Sequence, residues 1–364
     1  MTFCLVLAKI FLMSSKLLID ILNIPSPTYH EKKLSQYLLN SLEKTNPTNI
    51  YKKNDSIIFC YGKDKEKKTI GLVGHLDVVP DYFEAYEDEG KIYGAGASDM
   101  KAGVAAFVDL ILNHHHELKK AYNVMLILYT KEERTALSEN GLFELIDEFP
   151  EIIKQIDCAI VGEPTDNSIQ IGCVGSLHLT ATITGKSSHS ARPWHGENAL
   201  YKAIPLIEKI KRIEPKKVHL FGVDFLDVIE ITESESEKGR TSIPGMWSCN
   251  INYRFSPDKS EKDALEYLTH ILNNLELSEL SYKVKDSVYA GKVIENSFFK
   301  DMVKRFLCPI QAKQAWTDVA QLGNIGVPAF NFGPGNQSQA HKKNEYIVLS
   351  QYNKYLNLIK KLLD

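Results

Sequence analysis

The chain has 364 residues, which is about the length of two domains. Apolar residues make up 44% of it and charged residues 24%, which excludes a disordered, collagen-like or coiled-coil protein. The 43 Lys and Arg residues and 46 Asp and Glu residues give a net charge of −3, without the basic excess that a dedicated nucleic-acid binder requires.

The cysteines and the N-terminal stretch together predict a cytoplasmic protein. The six cysteines are scattered and form no C-x-x-C pair, which is typical of free thiols in a reducing compartment. The apolar stretch from Phe3 to Met13 is interrupted by Lys9 and is shorter than the ~18–20 residues that span a bilayer. It also has no basic segment before it and no A-x-A-like cleavage site after it. We therefore expect a packing helix, or an extension upstream of a second start at Met13, and no membrane partner.

The first half of the chain alternates between helical and strand patterns. Residues 17–44 have apolar positions at helical spacing, which Pro25 and Pro27 divide into two helices. Four short apolar runs predict buried strands at 56–60, 69–74, 124–129 and 158–161. Helical patterns at 100–118 and 141–149 separate the last three of these runs. The alternation predicts βαβ units and therefore an α/β fold with a doubly wound, largely parallel sheet.

The pattern changes near Gly175. Residues 176–184 and 247–255 alternate between apolar and polar side chains, and helical segments at 199–212 and 259–275 follow them. This change of pattern predicts an inserted α+β domain with an antiparallel sheet. Within this domain, we interpret the acidic stretch 233–238 as a solvated loop. After Val288, the helical patterns 295–307 and 349–363 and a glycine-rich strand complete the first domain. We therefore expect a discontinuous domain of residues 1–174 and 288–364 and a smaller domain of residues 175–287.

The first chemical motif is Gly74-His75-Leu76-Asp77, at the end of a predicted buried strand. Residues two apart in a strand point to the same face, so the Asp77 carboxylate can accept a hydrogen bond from the His75 imidazole. Such a bond would fix the tautomer of a metal-binding histidine and raise its basicity. On this segment alone, a half-buried His–Asp pair without a metal is an equal alternative.

The second motif is the glycine-rich segment 94–103, which contains Ser98 and Asp99. Its glycines predict a tight loop, and either side chain can cap the helix that follows. The glycine spacing does not match the G-x-G-x-x-G nucleotide loop, and the segment 185–187 lacks the first glycine of a P-loop. We therefore reject phosphate binding at both segments, and helix capping is the alternative to metal binding for Asp99.

Three further motifs carry carboxylate or imidazole groups. Glu132 and Glu133 directly follow a predicted strand, and adjacent residues there point in different directions. One carboxylate could bind a cation while its neighbour faces a metal-bound water, with ordinary surface charge as the alternative. Glu163 follows the strand 158–161, and His341 lies close to the C-terminus.

Taken together, these residues predict one metal-binding site. In doubly wound folds, ligands bind at the carboxyl ends of the parallel strands. Five side chains fall at such ends or in the loops beyond them: His75, Asp99, Glu133, Glu163 and His341. Two imidazoles and three carboxylates suit zinc, cobalt or manganese. Five ligands exceed the need of one four-coordinate ion, so we expect two ions, ~3.5–4 Å apart, that share a carboxylate and activate a water.

The motifs resemble those of the dizinc hydrolases that include aminoacylase, acetylornithine deacetylase, glutamate carboxypeptidase and succinyl-diaminopimelate desuccinylase. The resemblance extends from Leu18 to Asp364 and implies a metal-binding catalytic domain with an inserted lid and dimerisation domain. It implies two zinc ions, with cobalt or manganese as alternatives in the second site. It assigns His75 and Glu163 to one ion, Glu133 and His341 to the other, Asp99 to both, Glu132 as general base and Asp77 as the partner of His75.

The resemblance also implies residues that contact the substrate. His189 matches a histidine that, in this family, reaches across a dimer to the developing oxyanion, so a homodimer is expected. Arg254 falls where the family places an arginine for a substrate carboxylate, and Arg192 is a second candidate for that role. Gly333, in Gly-Pro-Gly, is expected in the same pocket. The expected partner is a small anionic acyl-amino-acid substrate.

Within the family, several stretches most resemble the desuccinylases of lysine and diaminopimelate synthesis, among them 189–194, 316–319 and 331–336. We therefore expect removal of the succinyl group from N-succinyl-LL-2,6-diaminopimelate. Two departures bear on this expectation: Lys131 replaces an Asp, and Thr241-Ser242 replaces an Asn-Val pair whose amide would contact the substrate. Acetylornithine deacetylation, hydrolysis of di- or tripeptides and a metal-free, non-catalytic role stay open as alternatives.

Overall fold

The structure is a computed structural model that describes residues 15–79 and 82–363. The apolar stretch from Phe3 to Met13 lies outside these residues. The chain divides into two compact units: unit 1 comprises Met1–Ile171, Val293–Gln311 and Gln321–Asp364, and unit 2 comprises Gly172–Lys292 and Ala312–Ala320. The segment 312–320, which the sequence analysis placed in the first domain, thus falls in unit 2. Within the described part of the chain, no helix combines the length and the apolar character needed to cross a membrane.

The elements up to residue 171 follow the predicted alternation of strands and helices. The helices are α1 (15–22), α2 (Lys32–Leu42), α3 (Lys101–Ala121), α4 (Gly141–Glu148) and α5 (Pro150–Ile153). The strands are β1 (Asn49–Lys53), β2 (Ser56–Tyr61), β3 (Thr69–His75), β4 (Tyr86–Asp88), β5 (Lys91–Tyr93), β6 (Asn123–Tyr129), β7 (Cys158–Val161) and β8 (Ile169–Ile171).

The middle of the chain is richer in long strands. These are β9 (Gly175–Thr184), β10 (Ser188–His189), β11 (Lys216–Leu220), β12 (Val223–Ser236), β13 (Ser242–Ile243), β14 (Met246–Phe255) and β15 (Leu280–Val288), with helices α6 (Ala199–Lys202), α7 (Ile204–Lys211) and α8 (Glu261–Asn273). The C-terminal part adds α9 (Ser297–Arg305), β16 (Ile310–Ala312), α10 (Val319–Asn324), β17 (Ala329–Asn331), β18 (Tyr346–Val348) and α11 (Leu349–Ile359).

An eight-stranded sheet with the order β1-β2-β6-β3-β7-β17-β8-β16 forms the centre of unit 1. The four central strands β6, β3, β7 and β17 run parallel to one another, whereas β1, β2 and β8 join as antiparallel neighbours. The predicted α/β class with a largely parallel sheet is therefore confirmed. Because the four central strands are parallel, their carboxyl ends lie along one edge of the sheet.

Helix α3 packs on this sheet through glycines that let the two backbones approach closely. A Cβ atom at Gly103 would lie 2.1 Å from the carbonyl oxygen of Gly162, so no larger residue fits there without a shift. The helix begins after Met100, whose side chain makes no capping bond, and Oγ of Ser98 donates to the main-chain oxygen of Tyr346. The first half of α3 is buried, including the charged residue Lys101.

Unit 2 contains a five-stranded antiparallel sheet with the order β11-β12-β14-β9-β15. Alternate residues of β9 and β14 pack with α6, α7 and α8 in one apolar core, as the period-2 pattern predicts. The acidic stretch is not wholly a loop, because β12 continues to Ser236, which pairs with Trp247 of β14. Pairing with β14 satisfies the backbone hydrogen-bonding groups of this part of β12, while its glutamate side chains stay exposed.

Candidate metal centre

Three parallel strands position three of the predicted ligands and the predicted base in unit 1. His75 is the last residue of β3, and Glu132 and Glu133 follow β6, its parallel neighbour. Glu163 follows β7, the parallel neighbour on the other side of β3. The sequence positions that looked scattered therefore converge at one edge of one sheet.

His75 is fully buried and presents an imidazole nitrogen towards two carboxylates. Its Nδ1 lies 3.0 Å from the main-chain oxygen of Asp77, so this nitrogen donates and the neutral ring keeps its lone pair on Nε2. Nε2 lies 3.4 Å from Oδ1 of Asp99 and 3.9 Å from Oε1 of Glu163. It makes no hydrogen bond among the residues that the structure describes. A buried acceptor nitrogen that faces carboxylates is what a metal-binding histidine requires.

Asp77 organises the loop that follows β6. Its Oδ1 accepts from the amide of Glu132 at 3.0 Å, and its Oδ2 accepts from the amide of Glu133 at 2.8 Å. Its carboxylate also lies 3.5 Å from Nδ1 of His75, further than its own main-chain oxygen. Burial opposes ionisation, but His75 and the two amides together lower the pKa of Asp77. The carboxylate thus fixes the Glu-Glu turn, whereas the main-chain oxygen of Asp77, and not the carboxylate that the sequence predicted, accepts the hydrogen bond of the imidazole.

A second cluster lies beside the first and shares Asp99 with it. Nε2 of His341 lies 2.9 Å from Oε2 of Glu133 and 3.7 Å from Oδ2 of Asp99. Ligand atoms of Asp99, Glu133 and His341 all lie within 4.8 Å of one another, as do those of His75, Asp99 and Glu163. The two oxygens of Asp99 therefore face different imidazoles.

The charges around these imidazoles favour a cation. Burial lowers the pKa of His75, but the neighbouring carboxylates of Asp77 and Asp99 outweigh burial and raise it well above its usual range. The hydrogen bond with Glu133 is the main cause that raises the pKa of His341. The acidic cluster therefore attracts positive charge to the two nitrogens. With imidazole and carboxylate donors only, the residues fit two divalent ions that share one carboxylate.

The structure adds a buried carboxylate, Glu345, to which the sequence analysis assigned no role. It accepts hydrogen bonds from the amides of Gly96, Ser98 and Asp99. Burial is the main cause that raises the pKa of Glu345 to about 7, and the negative charge of Asp99 adds to it. In the sequence, Glu345 stands out only because it lies close after His341. No local pattern there reveals its contacts with the three amides.

The N-terminal segment around Thr28 also contributes residues that sequence reasoning missed. Oγ1 of Thr28 donates to Oδ2 of Asp77 at 3.1 Å, and buried Glu31 accepts from the amide of Lys131 at 2.9 Å. Burial raises the pKa of Glu31. Because these contacts join positions about 50 and 100 residues apart, the sequence offers no local signal for them.

Gly333, predicted to contact substrate, follows β17 and packs on the backbone beside Glu163. A Cβ atom there would lie 2.3 Å from the carbonyl oxygen of Glu163 and 2.4 Å from that of Gly162. A Cβ atom at Gly335 would lie 2.3 Å from the carbonyl oxygen of Ser98. The Gly-Pro-Gly segment thus needs glycines because it packs closely against two loops that carry predicted ligands.

The predicted substrate residues of the inserted domain lie in unit 2. His189 belongs to the short strand β10, is exposed, and pairs with Ser242 of β13. Its Nδ1 accepts from the amide of Ala191 at 3.1 Å, so a neutral ring carries its proton on Nε2. Arg192 is exposed on the same segment. His189 therefore presents a hydrogen-bond donor to solvent in this unit.

Arg254 lies on β14, on the sheet face opposite the helices. Its Nε donates to Oδ1 of Asn252 at 3.0 Å, and Asn252 in turn contacts Ser176 and His178 of β9. No carboxylate pairs with this guanidinium among the described residues, and burial lowers its pKa. A half-buried guanidinium whose other nitrogens have no protein acceptor in the described chain is suited to bind an anion.

Comparison with known proteins identifies the family. The sequence matches Peptidase family M20/M25/M40 over residues 71–364, which is most of the chain. The chain belongs to this family. It is 31% identical over 356 residues to a succinyl-diaminopimelate desuccinylase of Corynebacterium glutamicum, and the match covers 94% of each chain. Membership makes this M20 protein a metal-dependent hydrolase, as the sequence motifs predicted.

Solved structures show the same fold. Aminopeptidase PepT of Bacillus cereus matches with a TM-score of 0.75 and 16% identity, over 96% of this chain and 97% of that one. The YXEP protein of Bacillus subtilis, described as a dinuclear metal binding peptidase from the M20 family, matches with a TM-score of 0.69 and 12% identity, over 98% of both chains. The M20 family is thus a dinuclear, metal-dependent one, and the described residues include a candidate ligand set for such a centre.

Proposed function

We propose that this M20 hydrolase cleaves N-succinyl-LL-2,6-diaminopimelate to succinate and LL-diaminopimelate. The observation that carries the hydrolytic chemistry is the convergence of two ligand clusters on the single carboxylate of Asp99. The substrate is supported by the desuccinylase of Corynebacterium glutamicum, which this chain matches over nearly its full length.

Two divalent ions would be held by the residues of the two clusters. His75 and Glu163 would bind one ion, Glu133 and His341 the other, and Asp99 both. Zinc is the expected metal, with cobalt or manganese as alternatives in the second site, because the donors are imidazoles and carboxylates. When bound, the ions supply an activated water and polarise the scissile carbonyl.

The protein's own groups would move the protons. Glu132 is the proposed general base, which takes a proton from the attacking water and returns it to the leaving amine. The bond from its amide to Asp77 holds the start of this side chain in place. His189 would donate through Nε2 to the oxyanion, and removal of one such donor typically costs ~100–1000-fold in kcat.

Arg254 is the proposed receptor for a substrate carboxylate, with Arg192 as a second contact. A bidentate guanidinium–carboxylate pair is strong and directional, which suits a substrate with several carboxylates. Gly333 has no side chain to contact the substrate, and it would shape the pocket by packing closely beside Glu163. We also propose that residues 175–287 act as a lid through which two copies dimerise, since the family histidine reaches a partner's site.

We propose a cytoplasmic location. All five cysteines in the described residues are free thiols, and four of them are buried. Reduced cysteines are the norm in the cytoplasm, where disulfides rarely persist.

The deciding experiment compares hydrolysis of N-succinyl-LL-diaminopimelate, N-acetylornithine and simple dipeptides by the purified enzyme with zinc or cobalt. We expect the succinyl compound to have the highest kcat/KM. A higher value for acetylornithine or a dipeptide would overturn the substrate, and Thr241 and Ser242 would then be the first residues to exchange. Removal of the metal by a chelator should abolish activity, and added zinc or cobalt should restore it. A pure protein that binds no divalent ion would support the metal-free alternative instead.

A further inference from the structure

The glycine-rich loop 94–99 turns three backbone amides towards one buried point. Gly96 adopts a left-handed φ of +83°, which bends the loop so that the amides of Gly96, Ser98 and Asp99 converge. A concave set of amides of this kind binds an anion. No phosphate-binding spacing is present, and an anion from the protein itself fills the concavity.

That anion is the carboxylate of Glu345, which is 3% exposed. Its Oε1 accepts from the amides of Ser98 and Asp99, each at 2.7 Å, and its Oε2 accepts from Gly96 at 2.8 Å. These distances lie at the short end of the range for N–H···O hydrogen bonds in proteins. Both oxygens are therefore engaged with backbone, and Glu345 belongs to none of the ligand clusters of the described residues.

The same short segment carries His341. The main-chain oxygen of Glu345 accepts from the amide of Gly94 at 3.1 Å, and Oγ of Ser98 donates to the main-chain oxygen of Tyr346 at 2.9 Å. Strand β18, which begins at Tyr346, pairs with β5 directly before the loop. The segment that supplies one predicted metal ligand thus also holds the loop that supplies another.

We propose that Glu345 is a positioning residue that fixes Asp99 and His341 relative to each other and thereby sets the affinity for the second metal ion. The inference rests on the proposed function, in which Asp99 bridges two ions. The first ion depends on the loop only through Asp99, because His75 and Glu163 lie on strand ends. The second ion depends on both the loop and the segment that Glu345 joins, so loss of Glu345 weakens the second ion more.

Glu345→Gln tests this directly, because an amide keeps the side-chain size but replaces one acceptor oxygen with a donor that faces a backbone N–H. Substitution of residues that orient metal ligands typically weakens metal affinity ~10–100-fold. We expect such a weakening for the second ion and a smaller change for the first. Glu345→Asp keeps the carboxyl group but is too short to reach all three amides, so it should show the same order of effects.

The control is Asp227→Asn in unit 2. Asp227 is a buried carboxylate that accepts from the amide and hydroxyl of Ser256 and from Tyr253, and it also pairs with Lys259 at 2.9 Å. It contributes to no ligand cluster among the described residues. This variant should bind both ions as the wild type does, even if it unfolds at lower urea concentration.

The measurement is titration of the metal-free proteins, residues 1–364, with Co²⁺, followed by calorimetry and by visible absorption of the bound cobalt. We expect the wild type and Asp227→Asn to bind two ions. Both Glu345 variants should bind the second ion with weakened affinity. Two ions with wild-type affinities on Glu345→Gln or Glu345→Asp would overturn the role of Glu345 alone. A wild type that binds fewer than two ions would overturn the proposed function, and the inference with it.

Discussion

Replacement of Gly333 by alanine should damage the metal centre by moving backbone rather than by removing a functional group. The added methyl would lie 2.3 Å from the carbonyl oxygen of Glu163, whereas real Cβ contacts essentially never fall below 3.0 Å. The backbone of residue 333 or of Glu163, a proposed ligand of the first ion, must therefore shift by about 0.7 Å. Overpacking of this kind costs ~1–3 kcal/mol in the free energy of unfolding. A displacement of about 1 Å at a reacting centre can cost ~100-fold in rate.

We therefore expect Gly333→Ala to lower kcat on the order of 10–100-fold at saturating metal, measured with N-succinyl-LL-diaminopimelate. Gly326→Ala is the matched control in unit 1. Its φ of +86° makes alanine unfavourable by ~1–2 kcal/mol, but nothing lies within 4 Å of the added methyl. Urea unfolding should show a similar loss of stability for both variants, with kcat near the wild-type value only for Gly326→Ala. Equal kcat values for the two variants would refute the reasoning.

Three further predictions concern the base, the anion receptor and the pH dependence of stability. Glu132→Ala should lower kcat ~100–10,000-fold while calorimetry still detects two bound ions, and near-normal kcat would show that another group is the base. Arg254→Ala should raise KM for the succinyl substrate about tenfold or more with a smaller change in kcat, because a charged hydrogen bond is lost; an unchanged KM would place the carboxylate elsewhere. Burial lowers the pKa of His178 below 6.5, so the unfolded chain binds more protons and the free energy of unfolding should fall as pH drops below about 6.5. Urea unfolding between pH 5 and 7 should show a flatter dependence for His178→Gln, and an identical slope would contradict the assigned cause.

The elements that the sequence predicted well are those with a strong local signal. The buried strands β2, β3, β6 and β7 are short apolar runs, and α3 has a long helical pattern, so burial and periodicity alone determine them. Strand β12 lacks such a signal near its end, because its glutamates are exposed and only pairing with β14 makes the segment a strand. Pairing partners are non-local, and one chain read alone does not contain them.

In the candidate site, too, the features with a local sequence signal were predicted and those that depend on distant contacts were not. Residue chemistry and predicted strand ends singled out five candidate ligands. The structure places His75, Glu133 and Glu163 at the carboxyl ends of parallel strands. Asp99 instead follows β5 of a separate sheet, and His341 lies in a loop before β18. Which amides donate to Asp77, and which donate to Glu345, depends on contacts between segments about 55 and about 250 residues apart. Hydrogen bonds require the tertiary arrangement to within a few tenths of an ångström. The sequence by itself therefore predicted the candidate ligands and determined the class of reaction, whereas only the folded structure decided which contacts hold those side chains in place.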